Sequence, residues 1–231
     1  MTCLPDDAGW AAIGADLDER GFGTIPRLVD PTACEELAGA YELDQFRSTI
    51  VMARHGFGRG EYKYYRYPLP PLIAELRTAV YERLVPIANA WQEAFDSPIR
   101  YPASLAEFLD RCHSTGQRRP TPLILRYGPG DYNCLHQDVY GENLFPLQVA
   151  VLLSDQKDFD GGEFVLTEQR PRRQSRAHVV PLKQGDAVIF PVRDRPVRGA
   201  RGFYRAQHRH GVSEVRSGRR HTLGIILHDA E

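Results

Sequence analysis

Seven strand-length runs in the second half of the chain set the fold. They are PLILRY at 122–127, PLQVAVLLS at 146–154, GEFVLTEQ at 162–169, AHVVPL at 177–182, DAVIFP at 186–191, FYRAQHRH at 203–210 and HTLGIILH at 221–228. Glycine, proline and aspartate turns separate them, with Gly161-Gly162 and Gly185-Asp186 as turns or bulges. The spacing predicts an all-β barrel or double-sheet roll over residues 120–231.

Upstream of Pro120 the periodicity is helical. Trp10, Ile13 and Leu17 recur at helical spacing, with Asp6 or Asp7 as N-cap and Gly21 as stop. A short strand is expected over 22–29. Asp30-Pro31 then opens a helix to about Leu43, and Pro70-Pro71 opens a longer one. The longer helix has an apolar stripe of Leu72, Ile73, Leu76, Val80, Leu84, Ile87 and Trp91, with Pro86 as a kink point. A further helix is expected over 104–113. The expected layout is a single domain over 1–231. Residues 1–119 form mainly helical support and a flap, with helices packed on one sheet, and residues 120–231 form the β core.

The chain has 231 residues, 42% apolar and 26% charged, which is ordinary globular composition. The longest uninterrupted apolar run considered, LGIIL at 223–227, is far short of the ~18 residues of a membrane span. Asp6, Asp7, Asp16 and Asp18 occupy the place of the basic start of a secretory signal. Cys3, Cys34, Cys112 and Cys134 are scattered without a CxxC, which reads as reduced thiols in a cytoplasmic protein. The net charge of −1 hides an asymmetry. Between Arg170 and Arg220 thirteen Arg and one Lys face three acids, a local +11. That is either a set of solvated strand edges or a basic face toward an anionic partner such as nucleic acid.

The chemistry concentrates in LRYGPGDYNCLHQDVYG at 125–141. His136 and Asp138 are two apart, so on an extended strand they share a face and can bind one cation. With 8 His, about half of one such pair arises by chance, so the pair alone is a weak signal. His210 on a later strand offers a third ligand, with His208 as its rival on the same face. Arg220 follows ten residues on. Two imidazoles and one carboxylate leave three octahedral positions open, which suits non-haem Fe(II) oxygen chemistry. A buried Arg suits the far carboxylate of a dicarboxylic co-substrate.

HQD, DGGEF, QGDAVIFP and HGV with its Arg ten residues on resemble the double-stranded β-helix (jelly roll, cupin-like) of Fe(II)/2-oxoglutarate dioxygenases. YGPGDYNCLHQD is similar to their prolyl-4-hydroxylase-like branch. RHGFGRGEYKYYRYPLP, RPTPLILRYGPGDYNCLHQD, GGEFVLTEQRPR and RSGRRHTLGIILHDA resemble a bacterial oxygenase family predicted to remove alkyl groups oxidatively from damaged DNA bases. This second resemblance runs from about Gly9 to Ala230. It implies His136, Asp138 and His210 as iron ligands, with Arg220 holding 2-oxoglutarate and Tyr127 hydrogen-bonding it; Thr222 shares Arg220's face by strand alternation and is placed to assist. Arg219 departs from a single-Arg pattern and leaves open which arginine anchors. The implied cofactors are Fe(II), 2-oxoglutarate and O2, and the family allows ascorbate as reductant. The implied activity is C–H hydroxylation with release of succinate and CO2, on an alkylated nucleic-acid base. A prolyl or other protein side chain, or a small molecule, is the alternative.

GFGRGEYKYYRYP at 56–68 interleaves tyrosines with basic residues. Its glycines suggest a mobile flap on which Tyr62, Tyr64 and Arg66 touch substrate, as aromatic and basic residues do in single-strand binders. The competing reading is an edge strand packed on the helices. Two further classes fit less well. A ligand-sensing roll would favour a degraded triad or a lost arginine. A zinc hydrolase would need a nearby Glu as base and would leave Arg220 without a role.

Overall fold

A computed structural model describes residues 2–231. Helix α1 (Asp7–Arg20) starts where the Asp6 carboxylate accepts the Gly9 N–H at 2.8 Å. It stops at Gly21, whose φ of +81° is the left-handed cap that glycine adopts without strain. Helix α2 (Pro31–Gly39) is capped by Asp30 and ends earlier than its sequence suggests, passing into a 3₁₀ turn over Ala40–Glu42. Helix α3 (Pro71–Ala94) contains Pro86, and helix α4 (Leu105–Ser114) is capped by Ser104. On α3 the buried face includes Arg77, Tyr81 and Ala88, while Leu72 and Ile87 sit only partly buried at its margin. Among the described residues no helix is long and apolar enough to cross a membrane.

The strands in chain order begin with β1 (Gly23–Ile25), β2 (Phe46–Val51), β3 (Gly58–Arg59), β4 (Glu61–Tyr65) and β5 (Leu123–Tyr127). Next come β6 (Tyr132–His136), β7 (Leu147–Leu152), β8 (Phe159–Gly161), β9 (Phe164–Gln169) and β10 (Arg176–Val180). The last are β11 (Ala187–Pro191), β12 (Asp194–Gly199), β13 (Gly202–Val212), β14 (Val215–Gly218) and β15 (Arg220–Ile226). A major sheet runs β1-β11-β7-β15-β5-β4-β2. A minor sheet runs β10-β9-β13-β6-β3, with β12 also on β13, and β8 pairs β14. All paired strands are antiparallel, giving the double-stranded β-helix that the run pattern predicts.

Alternation divides the major sheet between two cores. Val149, Val151, Ile189, Leu223 and Ile225 point outward and bury against the four helices. Each such side chain contributes about 1.5–3 kcal/mol on full burial. Ala150, Leu152 and Phe190 point inward and meet Phe164 and Leu166 of the minor sheet. A buried polar knot ties the chain's end to the helices. Arg77 pairs with Asp229 at 2.8 Å, and Tyr67 and His113 bind the other carboxylate oxygen.

The stretch at 56–68 differs from both sequence readings. β4 pairs with β2 on one side and β5 on the other, so it is an interior strand of the major sheet. β4 is neither a hinged flap nor a sheet edge, whereas β3, in the same stretch, is the outer strand of the minor sheet. The sequence shows the aromatic alternation but not that 46–51 supplies the second neighbour. The first 119 residues therefore contribute three strands beyond the short β1, as well as helices.

Candidate metal and co-substrate site

The central residues come from two neighbouring minor-sheet strands. His136 ends β6 and His210 lies opposite it on β13. Close approach depends on Gly211, where a Cβ would lie 2.6 Å from the Asn133 carbonyl oxygen. The two imidazole centroids are 4.1 Å apart. Asp138 closes the triangle, with Oδ2 3.3 Å from His210 Nε2 and Oδ1 3.5 Å from His136 Nε2. One donor atom from each residue lies within 4.8 Å of the others. His136 Nδ1 is 2.8 Å from the Cys134 carbonyl, which turns Nε2 toward the carboxylate.

Burial alone would raise the Asp138 carboxyl, but His210 and His136 hold it well below the ordinary carboxylate range. Burial pushes His210 down, with the charge of His136 adding to it. Tyr140 donates to Asp138 Oδ1 at 2.8 Å, and Tyr64 meets Tyr140 at 3.2 Å. Sequence reasoning missed Tyr140. Its signal was present, since it lies two residues beyond Asp138.

His208 does not converge with the triad. Its Nε2 sits 3.2 Å from Arg195 Nε and 3.5 Å from Glu168, deep under α1. Arg195 also donates to the Asp18 carbonyl at 2.6 Å, at the end of that helix. His208 is thus part of a structural ion cluster, and His210 is the histidine beside Asp138.

Arg220 and Thr222 lie on β15 opposite Tyr127 and Leu125. Arg220 is 1% exposed and meets no carboxylate among the described residues. One Nη donates to Thr222, and Nε has no partner. Burial pushes its guanidinium down to about 10. The Tyr127 hydroxyl is enclosed and makes no hydrogen bond of full geometry, and burial raises its phenol. Gly162 gives room, because a Cβ there would lie 2.8 Å from Arg220 Cδ. Arg219 is exposed and faces away, as strand alternation requires. Thr222 and Tyr127 line a main cavity of about 210 Å³ together with the triad. Arg220 lines an adjoining hollow, and Phe164 forms a wall of both.

The family model described as an oxygenase catalysing oxidative methylation of damaged DNA matches residues 60–230. The chain belongs to this oxygenase family. An uncharacterised protein of Mycobacterium tuberculosis (strain H37Rv) is 49% identical over 164 residues, 71% of this chain and 70% of the relative. A Burkholderia pseudomallei oxidoreductase of the 2-oxoglutarate–Fe(II) oxygenase family aligns with TM-score 0.55 and 19% identity, over 100% of this chain and 96% of that one. A Pseudomonas putida prolyl-4-hydroxylase aligns at 0.53 and 16%, covering 93% and 96%. HygX of Streptomyces hygroscopicus, solved with nickel, 2-oxoglutarate and hygromycin B, aligns at 0.51 and 17%, covering 92% and 85%. These three share the fold.

The oxygenase's remaining predicted contacts divide. Tyr62 and Tyr64 project from β4 into the main cavity. Arg66 lies outside it, paired with exposed Asp44 at 3.0 Å. Strand alternation alone would keep Arg66 on the face of Tyr62 and Tyr64, but β4 ends at Tyr65 and Arg66, beyond it, turns out to Asp44. The +11 segment is only partly a free basic face. Arg195 and Arg220 are buried, while Arg170, Arg193, Arg205 and Arg216 pair with Glu168, Asp194 or Asp160.

Proposed function

We propose that this oxygenase holds Fe(II) through His136, Asp138 and His210 and anchors 2-oxoglutarate at Arg220. Its proposed reaction oxidises an N-alkyl carbon on a nucleic-acid base. The donor set fits, with an ionised carboxylate and two imidazole nitrogens converging from one sheet. The observation that carries the reading is Arg220, a buried guanidinium near that triad that makes no ion pair, with Glu163 acting on it only at longer range. Uncompensated buried charge is unfavourable, so the site favours a carboxylate.

When bound, iron and 2-oxoglutarate supply the oxidising power of O2, with loss of CO2 and succinate and transfer of one oxygen atom to a C–H bond. The chain's own residues set the conditions. Asp138 stays ionised, and Tyr140 fixes one of its oxygens. Arg220 would hold the distal carboxylate, Thr222 steadies the guanidinium, and Tyr127, whose hydroxyl only Asn133 approaches, would add a donor. Phe164, Phe190 and Val212 keep the cavity dry.

A hydroxylated N-methyl carbon is a hemiaminal that releases formaldehyde, so we read the family's oxidative chemistry on methyl groups as demethylation. The aromatic wall of Tyr62, Tyr64 and Phe57 suits a flat base flipped from its stack. The test sets formaldehyde release from methylated oligonucleotides beside +16 mass shifts on peptides. Succinate formed only with peptide would reverse the substrate assignment. Anaerobic Fe(II) plus 2-oxoglutarate is expected to give a visible charge-transfer band that His136→Ala abolishes. Absence of the band in the wild type would remove the cofactor assignment.

A further inference from the structure

Gln148 is the single polar residue of β7, whose six positions are all buried. It is 2% exposed. Alternation places it with Ala150 and Leu152 on the face toward the roll's interior, and it lines the main cavity. Its cross-strand neighbours are Phe190 on β11 and Ile226 on β15, both cavity residues. The Phe190 ring lies 4.7 Å from that of His210, so Gln148 sits beside the triad. Arg220 lies at the opposite end of β15 from Ile226. Gln148 therefore faces the part of the cavity that the co-substrate end leaves open. No hydrogen bond ties its amide to any described residue, and Nε2 is fully enclosed.

An unpaired buried amide destabilises a fold, and Leu or Met would fill the same volume without that cost. A free carboxamide offers a donor beside an acceptor. It pairs with a planar group presenting the complementary pair on one edge, as Gln does with adenine. Within one trans peptide unit the N–H and C=O point to opposite sides, so a carboxamide cannot take both groups of that unit. A prolyl ring offers neither at its carbons. Across the sheet from Gln148, β15 and β5 form a floor with Gly224, and Tyr62 and Tyr64 rise from β4 three strand spacings away, about 14 Å. That span accommodates a base between an edge reader and an aromatic wall.

We infer that Gln148 is the specificity-determining residue of the substrate pocket. Its carboxamide pairs with the donor–acceptor edge of a nucleobase and thereby selects which heterocycle is presented to the triad. The inference rests on the base reading above. The test uses the full chain loaded with Fe(II) and 2-oxoglutarate without oxygen. Free N-methylated nucleobases, and analogues with an edge nitrogen replaced by C–H, are titrated in by saturation-transfer NMR. The wild type is expected to prefer the intact edge by about tenfold or more. Gln148→Leu is expected to lose that preference with 2-oxoglutarate affinity unchanged. Gln148→Glu, which keeps the shape and only accepts, is expected to shift preference toward bases offering donors. Equal discrimination by wild type and either folded variant overturns the role of Gln148 and leaves the base reading standing. No binding of any base by the wild type overturns both.

Discussion

Arg220 shows how a single residue can favour function over stability. Its guanidinium is buried with no ion-pair partner, Glu163 acting only at longer range, and Nε is unpartnered. Replacing a buried charge that has no ion-pair partner by an apolar side chain of similar length relieves its desolvation cost. Arg220→Met is therefore expected to unfold at equal or higher denaturant concentration than the wild type. Its apparent affinity for 2-oxoglutarate is expected to fall at least about tenfold, the worth of a charge-assisted fork. Arg219→Met, on the exposed face, is expected to change neither. A stability loss in Arg220→Met with unchanged 2-oxoglutarate affinity would make Arg220 a packing residue. His228 contributes to the pH dependence of stability, as does His221, which burial also pushes down to about 4. His228 is fully buried, its Nδ1 accepts the Phe145 N–H at 3.3 Å, and burial and then Arg77 push it down to about 4. The unfolded chain takes up its proton near pH 6.5 and the folded chain only near 4, so stability falls as pH drops through that window, by about 3 kcal/mol in all. Denaturant titrations at pH 7 and pH 4 are expected to show a smaller loss in His228→Asn than in the wild type. Equal losses would place the proton uptake elsewhere.

At the scale of elements, α1 is locked to the minor sheet through its last turn. Arg195 reaches from β12 to the Asp18 carbonyl while holding Glu168 and His208. Gly21 leaves space for this cluster. Its φ is +81°, and a Cβ would lie 2.4 Å from His208 Cε1. Gly21→Ala combines a left-handed cost of about 1–2 kcal/mol with an overpacking cost of about 1–3 kcal/mol. Gly39→Ala, on α2 with nothing within 4 Å of the added atom, is expected to be neutral or to gain about 0.5 kcal/mol. Equal unfolding midpoints for the two variants would dissolve the lock. The helices were legible because their ends carry local chemistry, as Asp6, Gly21, Asp30-Pro31 and Ser104 illustrate. The strands after Pro120 were legible from length and spacing. β2 to β4 were not, because pairing on two sides is a long-range fact that KYY in a glycine-rich setting does not encode. His208 and His210 share a strand face, and only the position of Glu168 and Arg195 separates their roles. Gln148 was visible as one polar letter in an apolar run, but its missing partner is a three-dimensional property.

On the whole molecule, charge and site are displaced from one another. Arg172 and Arg173 lie in the turn joining β9 to β10, and Arg201 lies in the β12–β13 turn. Gln207 pairs Gln169, so both turns fall at the same end of the minor sheet. From the β12–β13 turn, β13 runs eight residues to His210, a path of about 27 Å at strand rise, while Gln207, beside the start of the β9–β10 turn, is three residues or about 10 Å from it. None of these three arginines makes an ion pair among the described residues. Arg201 at that distance cannot touch a base in the cavity, and all three arginines can meet the phosphates of flanking nucleotides. Under the base reading, the triple replacement of Arg172, Arg173 and Arg201 by Gln is expected to weaken binding of a long methylated single strand. It should also flatten the dependence of log affinity on log salt by about 2, since each lost phosphate contact removes about 0.7. Turnover of a methylated mononucleoside, too short to span the gap, is expected to stay within about twofold of the wild type. A salt slope unchanged by the triple replacement would make these arginines a solvated face, and the flanking strand would then lie across another surface of the roll.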